Sequence, residues 1–301
     1  MQRAIVTGGA GFIGSNLVDK LIEQGVKVTI LDNLSTGKKE NINPKAEFIN
    51  CDISTASEID ILFYINGADI VFHMAALPQV QQSIENPTNN NNINSTINIL
   101  EASRKANIKR VIFSSTSALY GNPVYTPIDE SHPINPLSPY ALHKLVGENY
   151  CKLYSEIYDL DTVCLRYFNV YGNRMSNEGA YRSVISIFQE SFLNKIPFNI
   201  VNDGKQKRDF VHVNDIIEAN ILCALNNKSF NGEVYNVGTG KAYTVNEIAD
   251  MFKGEKKYGE VRIEPQNSIA DNKKITKTLN WKSNNKLKTW ISTFTEQSST
   301  E

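Results

Sequence analysis

The chain has 301 residues, 41% of them hydrophobic, and a formal net charge of −1 from 31 basic and 32 acidic side chains. That length can bury a large core and suits one sizeable α/β domain with a smaller companion. The balanced, interspersed charge gives no electrostatic reason to expect nucleic acid or an anionic membrane as a partner, and no apolar stretch is long enough to span a bilayer.

Ala4-Ile5-Val6-Thr7 reads as a buried strand, entered almost at once from the first residue, so no signal peptide and a cytoplasmic location are expected. Gly8, Gly11 and Gly14 follow at three-residue spacing. Phe12, Ile13, Leu17, Val18, Leu21 and Ile22 then recur at helical spacing, and Val26 to Leu31 predicts a second strand ending at Asp32. A glycine triplet alone would only join a strand to a helix. Strand, glycine turn, helix, strand and acid in this order make the layout of a dinucleotide site. Gly8 permits the tight turn, Gly11 lets the backbone approach a pyrophosphate, and Gly14 lets the helix lie close on the strand. The helix N-terminus attracts the phosphates. Asp32 can accept hydrogen bonds from both hydroxyls of the adenosine ribose. Its charge opposes the 2′-phosphate of NADP, and Asn33 stands where an arginine could have received that phosphate, so NAD is the expected cofactor.

Phe48-Ile49 leads to Cys51-Asp52, followed by a predicted helix near Ser57 to Ile65 and a strand over Asp69 to His73. The asparagine run Asn89 to Asn92 opens a long helix from about Pro87 to Ala106, with Ile93, Ile97, Leu100 and Ala102 inward. Arg110 to Ser114 is a strand, Ser138 to Tyr158 a helix and Thr162 to Arg166 a strand. This alternation predicts an α/β fold with a Rossmann-type, doubly wound parallel sheet and ligands at the carboxyl ends of its strands. Beyond Tyr171 the rhythm breaks into helices near Ser183 to Asn194, Asp215 to Leu225 and Val245 to Phe252. The expected division is an NAD-binding domain over 1–171 and a smaller, mainly substrate-binding lobe over 172–301, with some strands returning to the main sheet. Thr295 to Glu301 are polar and expected to fray. The four scattered cysteines form no CxxC pair and predict buried, reduced thiols. The four histidines lack metal-ligand spacing, so no metal is expected, and His73 reads as a packed structural residue.

Tyr140 and Lys144 stand at i and i+4, on one face of the helix predicted there. A free tyrosine titrates near ~10 and is a poor base at neutral pH. A nearby ammonium and the positive nicotinamide would favour its phenolate, and Lys144 could also hold the nicotinamide ribose. Ser114-Ser115-Thr116-Ser117-Ala118-Leu119-Tyr120-Gly121 follows an apolar strand, where hydroxyls point into the cofactor crevice. Alone it would equally suit a serine-rich turn; with the Tyr–Lys pair and the glycine turn, the functional reading prevails.

In combination these segments resemble the extended short-chain dehydrogenase/reductase superfamily, in its nucleotide-sugar epimerase/dehydratase branch. The resemblance runs from Arg3 to about Trp281 and includes Asp52-Ile53, His73-Met74-Ala75-Ala76, Arg166-Tyr167-Phe168-Asn169-Val170-Tyr171-Gly172 and Arg208-Asp209-Phe210-Val211-His212-Val213. It implies that Phe12, Ile13, Asp32, Asn33, Asp52, Ile53, Ala75, Ala76, Asn92, Tyr140, Lys144 and Phe168 contact NAD. Thr116 would hydrogen-bond the sugar O4, and Tyr140 would be the base. Asn169 and Arg208 would hold the nucleoside diphosphate. A homodimer packed through the helices near residues 90–106 and 139–158 is implied as well.

Dehydratases of this branch carry Asp-Glu after the threonine, and UDP-glucuronate decarboxylases carry Ser-Glu. Ser117-Ala118 lacks that glutamate, and the epimerases of this branch need no such extra acid. The resemblance therefore implies a UDP-sugar 4-epimerase that removes a hydride from C4, lets the 4-keto sugar turn over and returns the hydride to its other face. The alternatives are a nucleotide-sugar 4-ketoreductase, a UDP-glucuronate epimerase, or an NAD-binding regulatory protein without catalysis. Ser268 stands where glucose/galactose enzymes often carry tyrosine, leaving room for a 2-acetamido group. UDP-GlcNAc and UDP-GalNAc are thus expected substrates, alongside or in place of UDP-glucose and UDP-galactose. Near Arg262-Ile263-Glu264-Pro265 the register is one residue short of the family pattern, so either Arg262 or nothing replaces the second phosphate arginine, and Glu264 is expected on the uridine ribose.

Overall fold

Strand β1 (Arg3–Thr7) is apolar and buried from Ala4 onward, as a strand covered on both faces must be. The computed structural model describes residues 1–89, 91–175, 182–259 and 267–298. After β1 come α1 (Phe12–Glu23), β2 (Lys27–Asp32), β3 (Glu47–Asn50), α2 (Glu58–Ile65), β4 (Ile70–His73) and α3 (Val80–Glu85). Next are α4 (Asn91–Lys105), β5 (Arg110–Thr116), α5 (Pro139–Tyr158), β6 (Thr162–Tyr167) and β7 (Asn169–Tyr171). They are followed by α6 (Val184–Leu193), β8 (Phe198–Ile200), β9 (Lys207–His212), α7 (Val213–Leu225), β10 (Glu233–Val237) and β11 (Ala242–Thr244). The last are α8 (Val245–Phe252), β12 (Lys256–Tyr258), β13 (Asn267–Ser268), α9 (Lys273–Leu279) and α10 (Leu287–Ser298).

Seven strands form one parallel sheet in the order β3-β2-β1-β4-β5-β6-β10. The strand order reverses between β1 and β4, and the crevice beyond the strand ends at such a switch point is where α/β sheets take ligands. Leu17 and Val18 of α1, Ile216 of α7 and Trp281 cover one face; Ile61 of α2, Ile99 of α4 and Cys151 of α5 cover the other. Each fully buried aliphatic side chain contributes about 1.5–3 kcal/mol. A smaller sheet centres on β9, which lies between β11 (antiparallel) and β13 (parallel) and also pairs in parallel with β7. A third cluster, with Phe188, Phe198 and Phe252, lies beside it. Ser57, Ser138, Ser183 and Thr244 cap α2, α5, α6 and α8 by accepting the backbone N–H three residues on.

The structure departs from the sequence expectation at the inner face of α4 and at the end of the chain. The inner face of α4 carries Ile99, Leu100 and Ala102 together with Asn92, Ser95, Thr96 and Ser103, while Ile93 and Ile97 are only half-buried. The polar residues are tolerated because they bond locally: the Ser95 and Thr96 hydroxyls both donate to the Asn92 carbonyl. At the end of the chain, Thr295 to Ser298 continue α10, and Trp290 stacks on Phe294 at 6.2 Å between ring centroids. Residues 299–301 lie outside the described residues. All four cysteines are buried and unpaired, no described group of His, Cys, Asp and Glu could hold a metal, and no described helix is long and apolar enough to cross a membrane.

His73 ends β4, buried between the hydroxyls of Thr7 (2.8 Å from Nδ1) and Thr96 (3.1 Å from Nε2). Burial, with the Lys144 ammonium adding to it, pushes its pKa down to about 3. The unfolded imidazole titrates near ~6.5, so between these values the unfolded chain binds the extra proton and stability falls as pH falls. In urea titrations over that window, His73→Gln is expected to flatten the loss of unfolding free energy by up to about 1.4 kcal/mol per pH unit. An unchanged slope would mean that His73 titrates alike in both states.

Candidate active site

A cavity of about 1400 Å³ runs along the carboxyl ends of the central strands and on over the smaller sheet. Its first end is the glycine turn. Gly8 has φ +68°, and a Cβ there would lie 2.7 Å from the Ala75 nitrogen. A Cβ on Gly14 would lie 2.1 Å from the Gly8 oxygen, so α1 and β1 approach as only glycine allows. Gly11 is the N-cap of α1 and makes no side-chain cap, which leaves first-turn N–H groups for an anion. Asp32 closes the turn, accepting from Ala10 N at 2.9 Å and Leu34 N at 2.8 Å. Each carboxylate oxygen keeps capacity for a further hydroxyl donor. Asn33 donates to Asp52 at 3.0 Å, and the Ser54 hydrogen bonds to Asp52 hold that carboxyl below its ordinary range. Ile53 forms a buried floor.

The Ala75-Ala76-Leu77 segment forms the next wall. Ala75 N donates to the Thr7 hydroxyl at 3.0 Å. Asn92 is buried and clamps Leu77, accepting from its N–H at 2.7 Å and donating to its carbonyl at 3.1 Å. It thus lines the cavity while holding the loop, a role that sequence spacing could not reveal. The glycine cradle, the open helix terminus and Asp32 fit the adenosine and diphosphate parts of NAD.

The second region gathers Thr116, Tyr140, Lys144 and Phe168 on the same cavity. Thr116 ends β5, and its hydroxyl oxygen accepts from Ala118 N at 3.1 Å, leaving its proton to donate. The neighbouring hydroxyls are engaged elsewhere: Ser115 donates to Glu148 at 2.5 Å, and Ser114 to Met74 Sδ at 2.6 Å. Of the predicted hydroxyl cluster, Thr116 and Ser117 line the cavity without being committed to the partners that hold Ser114 and Ser115. Lys144 is buried; its Nζ donates to the Ser114 carbonyl at 2.7 Å and lies 4.8 Å from the centre of the Phe113 ring. Burial brings its pKa down to about 8. Tyr140 opens α5, its backbone N–H donating to the Ser83 hydroxyl at 3.1 Å. Ser83 belongs to α3, a helix the sequence reading did not foresee; Pro78 and Pro87 on either side were its only signal.

The third region belongs to the smaller sheet. Asn169 donates to the Asp209 carbonyl at 2.9 Å, and Arg208 of β9 pairs in register with Ser268 of β13; all three of Asn169, Arg208 and Ser268 line the cavity. The Asp209 carboxylate faces away from solvent and accepts from Thr239 N (2.8 Å), the Thr239 hydroxyl (2.7 Å), Gly240 N (2.9 Å) and Ala270 N (3.1 Å). It therefore ties β9 to the segment carrying Ser268. Arg262 and Glu264 lie outside the described residues.

Residues 4–238 match the NAD dependent epimerase/dehydratase family. A candidate UDP-glucose 4-epimerase from Methanocaldococcus jannaschii is 47% identical over 296 residues, covering 95% of each chain. The crystal structure of UDP-glucose 4-epimerase from Thermotoga maritima with UDP-glucose superposes with a TM-score of 0.93 at 36% identity, covering 100% of both chains. UDP-N-acetylglucosamine 4-epimerase from Methanobrevibacter ruminantium, in complex with UDP-N-acetylmuramic acid, gives a TM-score of 0.90 at 38% identity, covering 99% of this chain and 97% of that one. With its glycine cradle, its Tyr140/Lys144 pair and this match over most of its length, the chain belongs to the NAD-dependent epimerase/dehydratase family.

Proposed function

We propose that the protein is a UDP-sugar 4-epimerase that works through a transient 4-keto sugar. One observation carries this reading. Among the described lining residues the carboxylates are Asp32 and Asp52, both at the adenosine end of the cavity. Around Thr116 the lining is Ser117 and Ala118, which supports the reading of Tyr140 as the residue that exchanges a proton with the sugar. A single group that takes a proton and gives it back suits epimerisation; elimination of water needs a second acid or base.

NAD, held by the glycine cradle and Asp32, would supply the redox chemistry at the sugar C4. The chain's own residues do the rest. Thr116 donates to O4 and orients it. Tyr140 takes the O4 proton as the C–H bond breaks and restores it when the carbonyl is reduced. The Lys144 ammonium, fixed by the Ser114 carbonyl, favours the phenolate form of Tyr140 by its charge. Asn169 and Arg208 hold the nucleoside diphosphate, Glu264 is proposed for the uridine ribose, and Ser268 leaves space beside C2. UDP-GlcNAc and UDP-GalNAc are the favoured pair, with UDP-glucose and UDP-galactose accepted as well. The unpaired cysteines suit the reducing cytoplasm.

A homodimer through α4 and α5 is part of this proposal. Leu142, Leu153 and Ile157 form an exposed stripe on α5, and Ile93 and Ile97 of the neighbouring α4 are only half-buried. Light scattering should give twice the chain mass, and Ile157→Glu should shift it toward the single chain; a monomeric wild type would end the dimer proposal.

Tyr140→Phe keeps the ring and removes the phenol. It should fold, release NAD(H) and not NADP(H) on denaturation, and lose turnover by a factor on the order of a hundred or more. Thr116→Val should lose less, since the base remains. Near-normal turnover of Tyr140→Phe would refute its role. Ser268→Tyr should fill the space beside C2, abolishing the N-acetylhexosamine reaction while sparing UDP-glucose and UDP-galactose. Equal loss on both substrate pairs would show that Ser268 does not face C2.

A further inference from the structure

We propose that Ser83 is a positioning residue for the reaction: it fixes the start of α5, and with it the Tyr140 phenol, through the Tyr140 backbone N–H. The role of Tyr140 itself rests on the function proposed above. The first-turn N–H groups of a helix need acceptors from outside the ladder. At the start of α5, Pro139 carries no N–H, and Ala141 N is taken by the Ser138 cap at 3.2 Å. Tyr140 N turns to another helix, donating to the Ser83 hydroxyl of α3 at 3.1 Å.

The direction of that bond is set. Ser83 Oγ gives its own proton to the Val80 carbonyl at 2.6 Å, so a lone pair faces the Tyr140 N–H. Ser83 is half-buried, whereas Gln81, Gln82, Ile84 and Glu85 around it are exposed, and α3 has no buried residue. Apolar burial therefore does little to hold α3, and its polar tie to α5 counts for more. Val80, Gln81 and Ile84 of α3 line the cavity together with Tyr140. Ser83 thus joins the proposed base to the neighbouring wall of the cavity. Lys144 follows Tyr140 by one helical turn, and its ammonium is fixed to β5 by the Ser114 carbonyl. With Lys144 tied to β5 and Tyr140 tied to α3, the two groups keep a set separation. The stabilisation of a phenolate by the ammonium depends on that separation.

The test compares NAD-loaded wild type, Ser83→Ala and Ser83→Thr, with Tm, NAD content and UDP affinity confirming that each variant folds and holds its ligands. Ser83→Ala is expected to lower kcat about tenfold or more, since a displacement of about 1 Å can cost on the order of a hundredfold. Its UDP affinity should stay at the wild-type value. Ser83→Thr keeps the hydroxyl and should restore most of the rate. A second readout needs no turnover: the tyrosinate absorbance that wild type shows over Tyr140→Phe at neutral pH. It should shrink in Ser83→Ala and return in Ser83→Thr, because a displaced phenol loses the benefit of the Lys144 charge. Wild-type kcat in folded Ser83→Ala would overturn the proposal. So would a lower kcat with unchanged tyrosinate absorbance, the pattern of a merely structural role, or a wild type with no such absorbance over Tyr140→Phe. A wild type that epimerises nothing, yet shows the tyrosinate signal and its loss in Ser83→Ala, would refute the epimerase reading and leave the role of Ser83 standing.

Discussion

The buried ion pair between Glu148 and Arg166 sets the geometry on which the catalytic region depends. Arg166 of β6 reaches Glu148 of α5 through two contacts, 2.9 Å from Nε and 2.6 Å from Nη2, with both side chains buried. Ser115 donates to the same carboxylate at 2.5 Å, and Arg166 donates to Tyr120 Oη at 2.8 Å, which in turn donates to Asn236 of β10 at 2.7 Å. One network thus joins β5, α5, β6 and β10. Removing either charge would leave the other buried and uncompensated, at a cost of about 3–5 kcal/mol. Replacing both with apolar residues can be nearly neutral for stability, so the pair matters chiefly for position. Glu148 lies one turn beyond Lys144 and two beyond Tyr140 on the same helix face. The register of α5 against the sheet, and with it the place of both residues relative to Thr116, follows from this contact.

Along the cavity the chemistry is graded. Asp32 and Asp52 lie by the glycine turn, neutral hydroxyls with the Tyr140 ring and the Lys144 ammonium follow, and Arg208 stands on the smaller sheet. Negative groups suit ribose hydroxyls, and cations suit phosphates. The middle has no carboxylate among its described lining residues, so it lacks the extra acid that elimination of water would use there. The lone proton exchanger suits a reaction whose first and last steps are mirror images.

The parts legible in the sequence are those whose partners are near in the chain. The glycine turn, Asp32 and the Tyr140/Lys144 pair each declare themselves within a single strand–helix unit or a single helical turn. The alternation of strands and helices likewise gave the parallel sheet. What stayed hidden depends on distant partners. Asn92 acts on Leu77 through its side-chain amide, Ser83 holds the start of α5 from another helix, and Asp209 gathers Thr239, Gly240 and Ala270. None of these side chains differs in sequence from a solvated polar residue. The inner face of α4 was misjudged for a related reason: small polar residues that bond within the helix can be buried in place of isoleucines. The C-terminal residues looked polar enough to fray, yet Trp290 and Phe294 anchor α10 on the third cluster.

The most direct test of the 4-keto route follows an isotope at the reacting carbon. UDP-glucose, or UDP-GlcNAc, carrying deuterium at C4 would be brought to equilibrium by the purified protein in ordinary water, and both epimers read by NMR. Oxidation and reduction of C4 within one cavity predict that the deuterium remains at C4 in both epimers, with no hydrogen entering from water there or at C5. Loss of the label to solvent, or exchange at C5, would contradict a mechanism in which Tyr140 handles only the O4 proton.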